Sequence, residues 1–486
     1  MKCGAQINRV DKSGKTPLYA AFSQGHEEIV ECLMKCGAEI NRADNDGQTP
    51  LYAASSQSDE KMVECLVKCG AEINRTNDNG WTPLYAASYK GNEKIVECLM
   101  NCGAKINRVD KSGKTPLYAA SSQGHKKIVD CLVKCGAEIN RADDDGQTPL
   151  YAASSQGEEK IVKCLVKCRA EINRPNYNGW TPLYAASNKG HERIVECLMK
   201  CGAEINRAGN DGTTPLYAAS SQGHQEIVEF LVECGAEINR AGNDGTTPLY
   251  AASYRGHEKI VEYLVKRGAE ISRAGKSGKA PLCAASSQGH QEIVEFLVKC
   301  GAEINRADKY GRTPLYAASS RGHEKIVECL VKCRKAEINR VDKDGETPLC
   351  AASCRGHEKV VECLVKCGAE INRANKDAKL QLLLLLSTNV FREAFTTIRR
   401  ELQQKLAYVL LSNLKNANKT HKLNTCVYIT FIKIGTKTSV IRQELILERC
   451  FEKYFRFKNR LFLPTRTANL KTATGVVISF HHKLDN

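Results

Sequence analysis

No stretch of this 486-residue chain approaches the ~18 consecutive apolar residues that a membrane-spanning helix needs. The longest leucine run, at 382–386, is far too short. The opening residues Met1-Lys2-Cys3-Gly4-Ala5 carry no apolar signal-peptide core. These absences lead us to expect a soluble intracellular protein, cytoplasmic with the nucleus as the other compatible compartment. A one-signed charge is also missing from most of the sequence. From Asn375 onward there are 20 Lys/Arg against 7 Asp/Glu, which leaves 51 basic and 48 acidic groups for the rest. The bulk is almost neutral, so nucleic-acid binding finds no support there. The basic end could contact acidic surfaces.

What the sequence does contain is a period. Thr-Pro-Leu begins at Thr16, Thr49, Thr82, Thr115, Thr148, Thr181, Thr214, Thr247 and Thr313, appears as Ala280-Pro281-Leu282 in the ninth copy, and arrives one residue late at Thr347. Self-similarity of this kind means a stacked array in which no unit buries its apolar face alone. Each copy reads the same way. A tight turn at Asp46-Gly47 leads to an N-cap at Thr49 and a Pro at the first helical position, Pro50. A short helix with adjacent alanines ends at Gly in most copies, as at Gly25 and Gly124. A second helix carries Met62, Val63, Leu66 and Val67 as one apolar stripe.

The units Asp-Gly-x-Thr-Pro-Leu, Ala-Ala, Gly-His, a Val/Leu helix and Gly-Ala-x-Ile-Asn resemble the ankyrin repeat, over about residues 1–374. The resemblance implies an all-α solenoid of stacked helix-turn-helix units with β-hairpin fingers, binding proteins on a concave side. We therefore expect residues 1–9 as the remnant of a truncated repeat, 10–374 as an array of eleven repeats, and 375–486 as a basic C-terminal region. That region reads as a capping helix from about Val390 to Leu414 followed by a poorly defined remainder, or as the product of a misassigned exon. The remnant suggests a piece of a longer array. A period of 99 is overlaid: Asn79-Gly80-Trp81 returns as Asn178-Gly179-Trp180, so three-repeat blocks were duplicated.

Departures from the family pattern are specific. Tyrosine (Tyr19, Tyr52, Tyr85 and their equivalents) stands where the family has His after Thr-Pro-Leu. Arg169 and Arg334 replace a helix-ending Gly, Lys335 is inserted, and Ala280 loses the Thr cap. Weak joints are expected near 280 and 335.

Candidate chemistry dissolves into the repeat. Gly14-Lys15-Thr16 mimics the end of a phosphate-binding loop, but Arg9 stands where that loop needs Gly. His occupies one repeat position, from His26 to His357, which marks scaffold; a catalytic base needs a unique pocket. Eighteen of the 24 cysteines fall at two repeat positions, such as Cys32 and Cys36. Because Phe230, Tyr263 and Phe296 substitute at the first, it reads as an apolar core site. Neighbouring copies at ~10 Å, one helix spacing, are too far apart for disulfides or a four-thiolate zinc site. No catalytic, cofactor or metal residue is assigned. An Arg after Ile-Asn, as in Arg42 and Arg75, is expected to pair with a Glu such as Glu39 or Glu72.

Variation between copies marks the candidate recognition surface: Trp81, Tyr89, Lys90, Tyr177, Trp180, Asn188, Lys189, Tyr254, Arg255, Tyr310, Arg312 and Arg321. Aromatic and Arg residues are the usual anchors of interfaces, and Trp81 and Trp180 are expected to be exposed because other copies fill their position with Lys, Gln, Thr, Arg or Glu. The function read from this pattern is a non-enzymatic scaffold or adaptor for protein partners. The alternative is a substrate-recruiting adaptor whose C-terminal region engages a second complex. Leu447, Cys450 and Leu461-Phe462-Leu463-Pro464 are faintly similar to a SOCS box, which implies a ubiquitin ligase.

Overall fold

The computed structural model describes residues 6–333 and 335–370, together with the backbone of two short strands near the C-terminus. The chain divides into two compact units, Met1–Ser387 and Thr388–Asn486. In the second, β1 (Leu470–Lys471) pairs antiparallel with β2 (Val477–Ile478). The capping helix and the SOCS-like motif expected after residue 375 lie outside the described residues.

The first unit is built from helix pairs. They begin with α1 (Pro17–Ser23) and α2 (Glu27–Lys35), α3 (Pro50–Ser56) and α4 (Glu60–Lys68), α5 (Pro83–Lys90) and α6 (Glu93–Asn101), and α7 (Pro116–Ser122) and α8 (Lys126–Lys134). Next come α9 (Pro149–Gln156) and α10 (Glu159–Lys167), α11 (Pro182–Lys189) and α12 (Glu192–Lys200), and α13 (Pro215–Gln222) and α14 (Gln225–Glu233). The last are α15 (Pro248–Arg255) and α16 (Glu258–Lys266), α17 (Pro281–Gln288) and α18 (Gln291–Lys299), α19 (Pro314–Arg321) and α20 (Glu324–Lys332), and α21 (Pro348–Cys354) and α22 (Glu358–Lys366). Odd-numbered helices pack on odd and even on even, so the array has a first-helix layer and a second-helix layer.

Local chemistry sets these elements. The Tyr19 N–H donates to Thr16 Oγ1 (3.1 Å), and the same cap recurs wherever Thr precedes Pro-Leu. Ala280 has no side-chain cap, yet α17 keeps the common length. The alanines of the first helix and the Ile/Val/Leu stripe of the second, such as Ile95, Val96 and Leu99, form the interior and are almost wholly buried. Fully burying one such aliphatic side chain stabilises by about 1.5–3 kcal/mol. Since each stripe is covered by its neighbours, the stability belongs to the joints between units.

Three ladders lock the joints. The Asn of each Ile-Asn pair accepts from a backbone N–H one unit on, as in Glu72 N–H to Asn41 Oδ1 (2.8 Å) and Glu138 N–H to Asn107 Oδ1 (2.9 Å). Each turn donates one backbone bond to the turn before it, for example Asp78 N–H to the Asp46 carbonyl (3.1 Å) and Tyr177 N–H to the Asp145 carbonyl (3.0 Å). The third ladder is the histidines. His125 Nε2 lies 3.1 Å from the Tyr89 carbonyl, and His191, His224, His257, His290, His323 and His357 repeat the contact with the unit before. A carbonyl only accepts, so Nε2 carries the proton. The repeated His is therefore a rivet at the carbonyl end of the preceding first helix.

Several expectations need correction. The connections between units are hydrogen-bonded turns, and no strand lies among the described residues of the array. The first cysteine position is not core: Cys32 is exposed and Cys65, Cys98 and Cys131 are half-buried, at the edge of the second-helix layer. Its tolerance of Phe and Tyr reflects room at that edge. The insertion at Lys335 does not interrupt the ladder, because Glu337 N–H still reaches Asn305 Oδ1 (2.9 Å) and Asn305 Nδ2 donates to the Lys335 carbonyl (2.7 Å). Arg334 lies outside the described residues. Arg169 does adopt the left-handed backbone (φ 65°), and so does Ser58 (φ 67°), which sequence reading overlooked.

Candidate protein-binding face

The residue just before Thr-Pro-Leu and the first-helix Tyr four positions later lie on one stripe, and that spacing builds the face. The Trp81 indole packs on Tyr85 (centroids 4.8 Å apart) and on Tyr89 (5.5 Å). Trp180 stacks nearly parallel on Tyr184 at 5.1 Å. Its copy has Asn188 where the third has Tyr89, so the third ring is missing. In the tenth copy Arg312 takes the tryptophan's place, with its guanidinium 5.2 Å from the Tyr310 ring and 5.5 Å from Tyr316. Lys15 and Lys114 cover Tyr19 and Tyr118 in the same manner. Both tryptophans are consequently half-buried rather than exposed, because the ladder tyrosines form a bed beneath them.

The phenols answer what replaces the imidazole. Tyr118 OH donates to Gln147 Oε1 (3.1 Å) and Tyr316 OH to Glu346 Oε2 (2.8 Å), while Tyr184 and Tyr217 meet Thr213 and Thr246 at 3.3 Å. Each partner is the residue preceding Thr-Pro-Leu in the next unit. Burial first pushes the ladder hydroxyls up, Tyr52 to about 12 with Tyr19 and Asp44 adding to it, and Tyr85 further with Asp110 as its main neighbour. They stay protonated and structural.

Among the candidate residues, the structure joins Trp81 with Tyr89, and Lys90 with the Tyr89 ring (5.7 Å). It also joins Tyr310 with Arg312. Tyr254 stacks on Tyr250 at 6.2 Å, and with Arg255 it lines a cleft of about 400 Å³ that also takes in Asp244, Lys276 and Ser277. Tyr177 stands 71% exposed at its turn tip. Asn188 spends its carbonyl on His224 (3.2 Å). Lys189 and Arg321 are exposed helix-end residues. Sequence reading missed Lys276 as a cleft residue and the ladder tyrosines as the floor; the i, i+4 spacing from the variable position was the available signal.

On the opposite layer the charges answer one another. Lys94 pairs with Glu60 (2.8 Å), Lys127 with Glu93 (2.9 Å) and Lys332 with Glu328 (3.2 Å). The Arg after Ile-Asn pairs three residues back, as in Arg42 with Glu39 (3.3 Å) and Arg141 with Glu138 (3.2 Å). Exposed pairs of this kind contribute ~0–1 kcal/mol each. Burial chiefly holds the Cys65, Cys98, Cys131, Cys197 and Cys329 thiols above their usual range and pushes Cys363 to about 11, which makes these six poor nucleophiles. Among the described residues no three His, Cys, Asp or Glu side chains converge as a metal site, and no helix is long and apolar enough to cross a membrane.

The family model for ankyrin repeats (three copies) matches seven overlapping stretches: 1–77, 59–143, 135–209, 151–242, 206–275, 238–308 and 282–375. The chain belongs to the ankyrin-repeat family. Comparison with curated proteins matched none. Ankyrin repeats are in general protein–protein interaction modules and typically non-enzymatic, and the ladders above are what join the units of this ankyrin array to one another.

Proposed function

We propose that this ankyrin array is a scaffold that binds protein partners on its first-helix face. One observation carries the reading. The frame repeats from copy to copy, while aromatic and cationic substitutions fall at the turn tips, at the residue before Thr-Pro-Leu and at the first-helix end, three kinds of position that line one cleft around Tyr250. Trp81 with Tyr89, Trp180, the Tyr250–Tyr254 cleft and the Arg312–Tyr310 pair are its anchors. Their rings are pre-positioned by stacking, so little side-chain entropy is lost on binding. Free thiols along both cysteine ladders fit a reducing compartment such as the cytosol. The adaptor reading of residues 375–486 lies outside the described residues.

Proximity labelling in cells tests this with the full chain, a Trp81→Ala/Trp180→Ala variant and a Lys94→Ala/Lys127→Ala variant on the second-helix layer. Partners lost with the tryptophans and kept with the lysine changes are the expected result. An unchanged labelled set in the tryptophan variant overturns it.

A further inference from the structure

The cations of the two layers differ in what faces them. On the second-helix side of units eight to eleven, Lys266 pairs with Glu262 (3.3 Å), Arg267 with Glu233 (3.6 Å), Lys359 with Glu324 (3.5 Å) and Lys366 with Glu362 (2.6 Å). On the first-helix side of the same units, Arg255, Lys276, Lys309, Arg321, Lys343 and Arg355 are exposed. None of these six takes part in an ion pair among the described residues, whereas on the second-helix side five of eight cations do, the exceptions being Lys259, Lys299 and Lys325.

The reason is built into the repeat. The last-turn Lys of a second helix, as at Lys266, Lys332 and Lys366, has Glu one turn before it. The residue one turn before Arg255 or Arg321 is Ala251 or Ala317, kept small so that neighbouring first helices can approach. Counter-charge must come from outside the helix. A cation at a helix C-terminus is favoured by the helix dipole, but that explanation applies equally to the second helices, which nevertheless supply their own carboxylates. Across the eleven copies this helix-end position holds Gln, Lys or Arg and never an acid.

The turn tips show the same change along the array. At one tip position the copies run Lys12, Asn45, Asp78, Lys111, Asp144, Tyr177, Asn210 and Asn243, and then carry Lys in three successive units, Lys276, Lys309 and Lys343. Of the nearby carboxylates, Asp244 is at the cleft, Asp344 faces Arg312 at 3.9 Å, and Glu346 accepts from Tyr316. Cations without an ion pair among the described residues also occur on this layer in earlier units, as at Lys12, Lys90, Lys111 and Lys189, but they are concentrated in the last four units, beside the Tyr250–Tyr254 stack and the Tyr310–Arg312 pair.

We infer that the first-helix face of units eight to eleven takes an extended acidic polypeptide segment of the protein partner. The inference rests on the protein-binding reading above and names the chemistry of the ligand. Four units at ~10 Å each span about 30–40 Å, which an extended chain covers in about ten to twelve residues. The helix-end cations at Arg255 and Arg321 stand two units apart, about 20 Å. That suits carboxylates scattered on an extended peptide and is too sparse for the phosphate rows of a nucleic acid. The chain's own C-terminal region is an unsuitable occupant, since its 20 basic residues against 7 acidic ones would be repelled.

The test uses the full chain and a fluorescent peptide of about twelve residues with Glu at alternate positions and one benzophenone photo-crosslinker. The binding-face variant is Arg255→Gln, Arg321→Gln, Arg355→Gln, Lys276→Asn, Lys309→Asn and Lys343→Asn. Gln and Asn are residues that other copies carry at these same positions, for example Gln222 and Asn243, so the fold is retained. A control changes Lys259, Lys266, Lys325, Lys332, Lys359 and Lys366 to Gln, with the same loss of charge. We expect crosslinks within residues 248–355, at least tenfold weaker anisotropy binding in the face variant, little change in the control, and weakening with salt. Crosslinks confined to 375–486, equal losses in both variants, tighter binding of an oligonucleotide of similar length, or self-association abolished by the face variant would each overturn it. If tryptophan-dependent partners persist while the Glu peptide ignores the face variant, the protein-binding reading stands and this inference falls.

Discussion

Trp81 Nε1 donates to Asp110 Oδ2 at 3.2 Å, across the joint between the third and fourth units. Three units later the duplicated tryptophan, Trp180, has Gly209 in place of that aspartate, and its buried Nε1 has no partner. A Cβ added at Gly209 would sit 2.4 Å from Trp180 Cδ1, so the ring has moved into the space the side chain left. Two copies of one block have thus diverged into different solutions.

That divergence gives an asymmetric prediction. Trp81→Phe removes a bond to a carboxylate and should destabilise by about 1–2 kcal/mol. Trp180→Phe removes a buried donor that has nothing to bond and should be near neutral or stabilising. Urea unfolding of the two single variants checks the order; a larger loss at Trp180 would contradict it.

Ala280→Thr should stabilise the array by about 0.5–2 kcal/mol, because the Cys283 N–H gains the cap that every other first helix has. Hydrogen exchange should show slower exchange at the start of α17. No change in protection there would mean that the cap bond does not form.

Arg169 pays for a left-handed backbone that its equivalents fill with Gly. Arg169→Gly should gain about 1 kcal/mol, seen as a higher urea midpoint. At Ser58 the gain should be smaller, since its hydroxyl also bonds Asn92 Oδ1 (2.5 Å). A destabilised Arg169→Gly protein would show that the side chain contributes more than its backbone strain costs.

Stability should fall on both sides of neutrality. Burial lowers His257 and His323 below the usual 6.5, so the unfolded chain binds protons first. Their contribution is complete above about pH 6.5 and is lost as pH falls toward the depressed values. Burial raises Cys164 and Cys283 from 9 to about 12, and Tyr52, Tyr151 and Tyr250 from 10 to about 12. That contribution is complete below pH 9 and is lost as pH climbs from 9 toward 12. Chemical denaturation at pH 5, 7.5 and 10.5 should give the highest midpoint at 7.5; a midpoint that rises steadily to 10.5 would contradict the thiol and phenol assignment.

The frame was legible because its causes are local. Thr before Pro sets a cap, Asp-Gly sets a turn, and an Ile/Val/Leu stripe sets the buried side of a helix. Contacts one unit away were harder. The His ladder was recognised as scaffold, but that His125 reaches the Tyr89 carbonyl follows from stacking geometry, which no single repeat encodes. The exposure of Trp81 and Trp180 was misjudged for the same reason: substitution by Lys, Gln or Thr suggested solvent, whereas all these side chains lie over the tyrosine bed. The cysteine position was misplaced because tolerance of Phe and Tyr looks alike at a core and at a roomy edge.

Site-specific photo-crosslinking in cells bears most directly on the central claim, that partners dock on the first-helix face. A photoreactive residue replaces exposed Gln123 or Gln222 at first-helix ends, or exposed Lys127 or Lys259 on second helices. The account predicts crosslinks to the same foreign proteins from Gln123 and Gln222 and none of these from Lys127 and Lys259. Crosslinks arising only from the second-helix positions would contradict it.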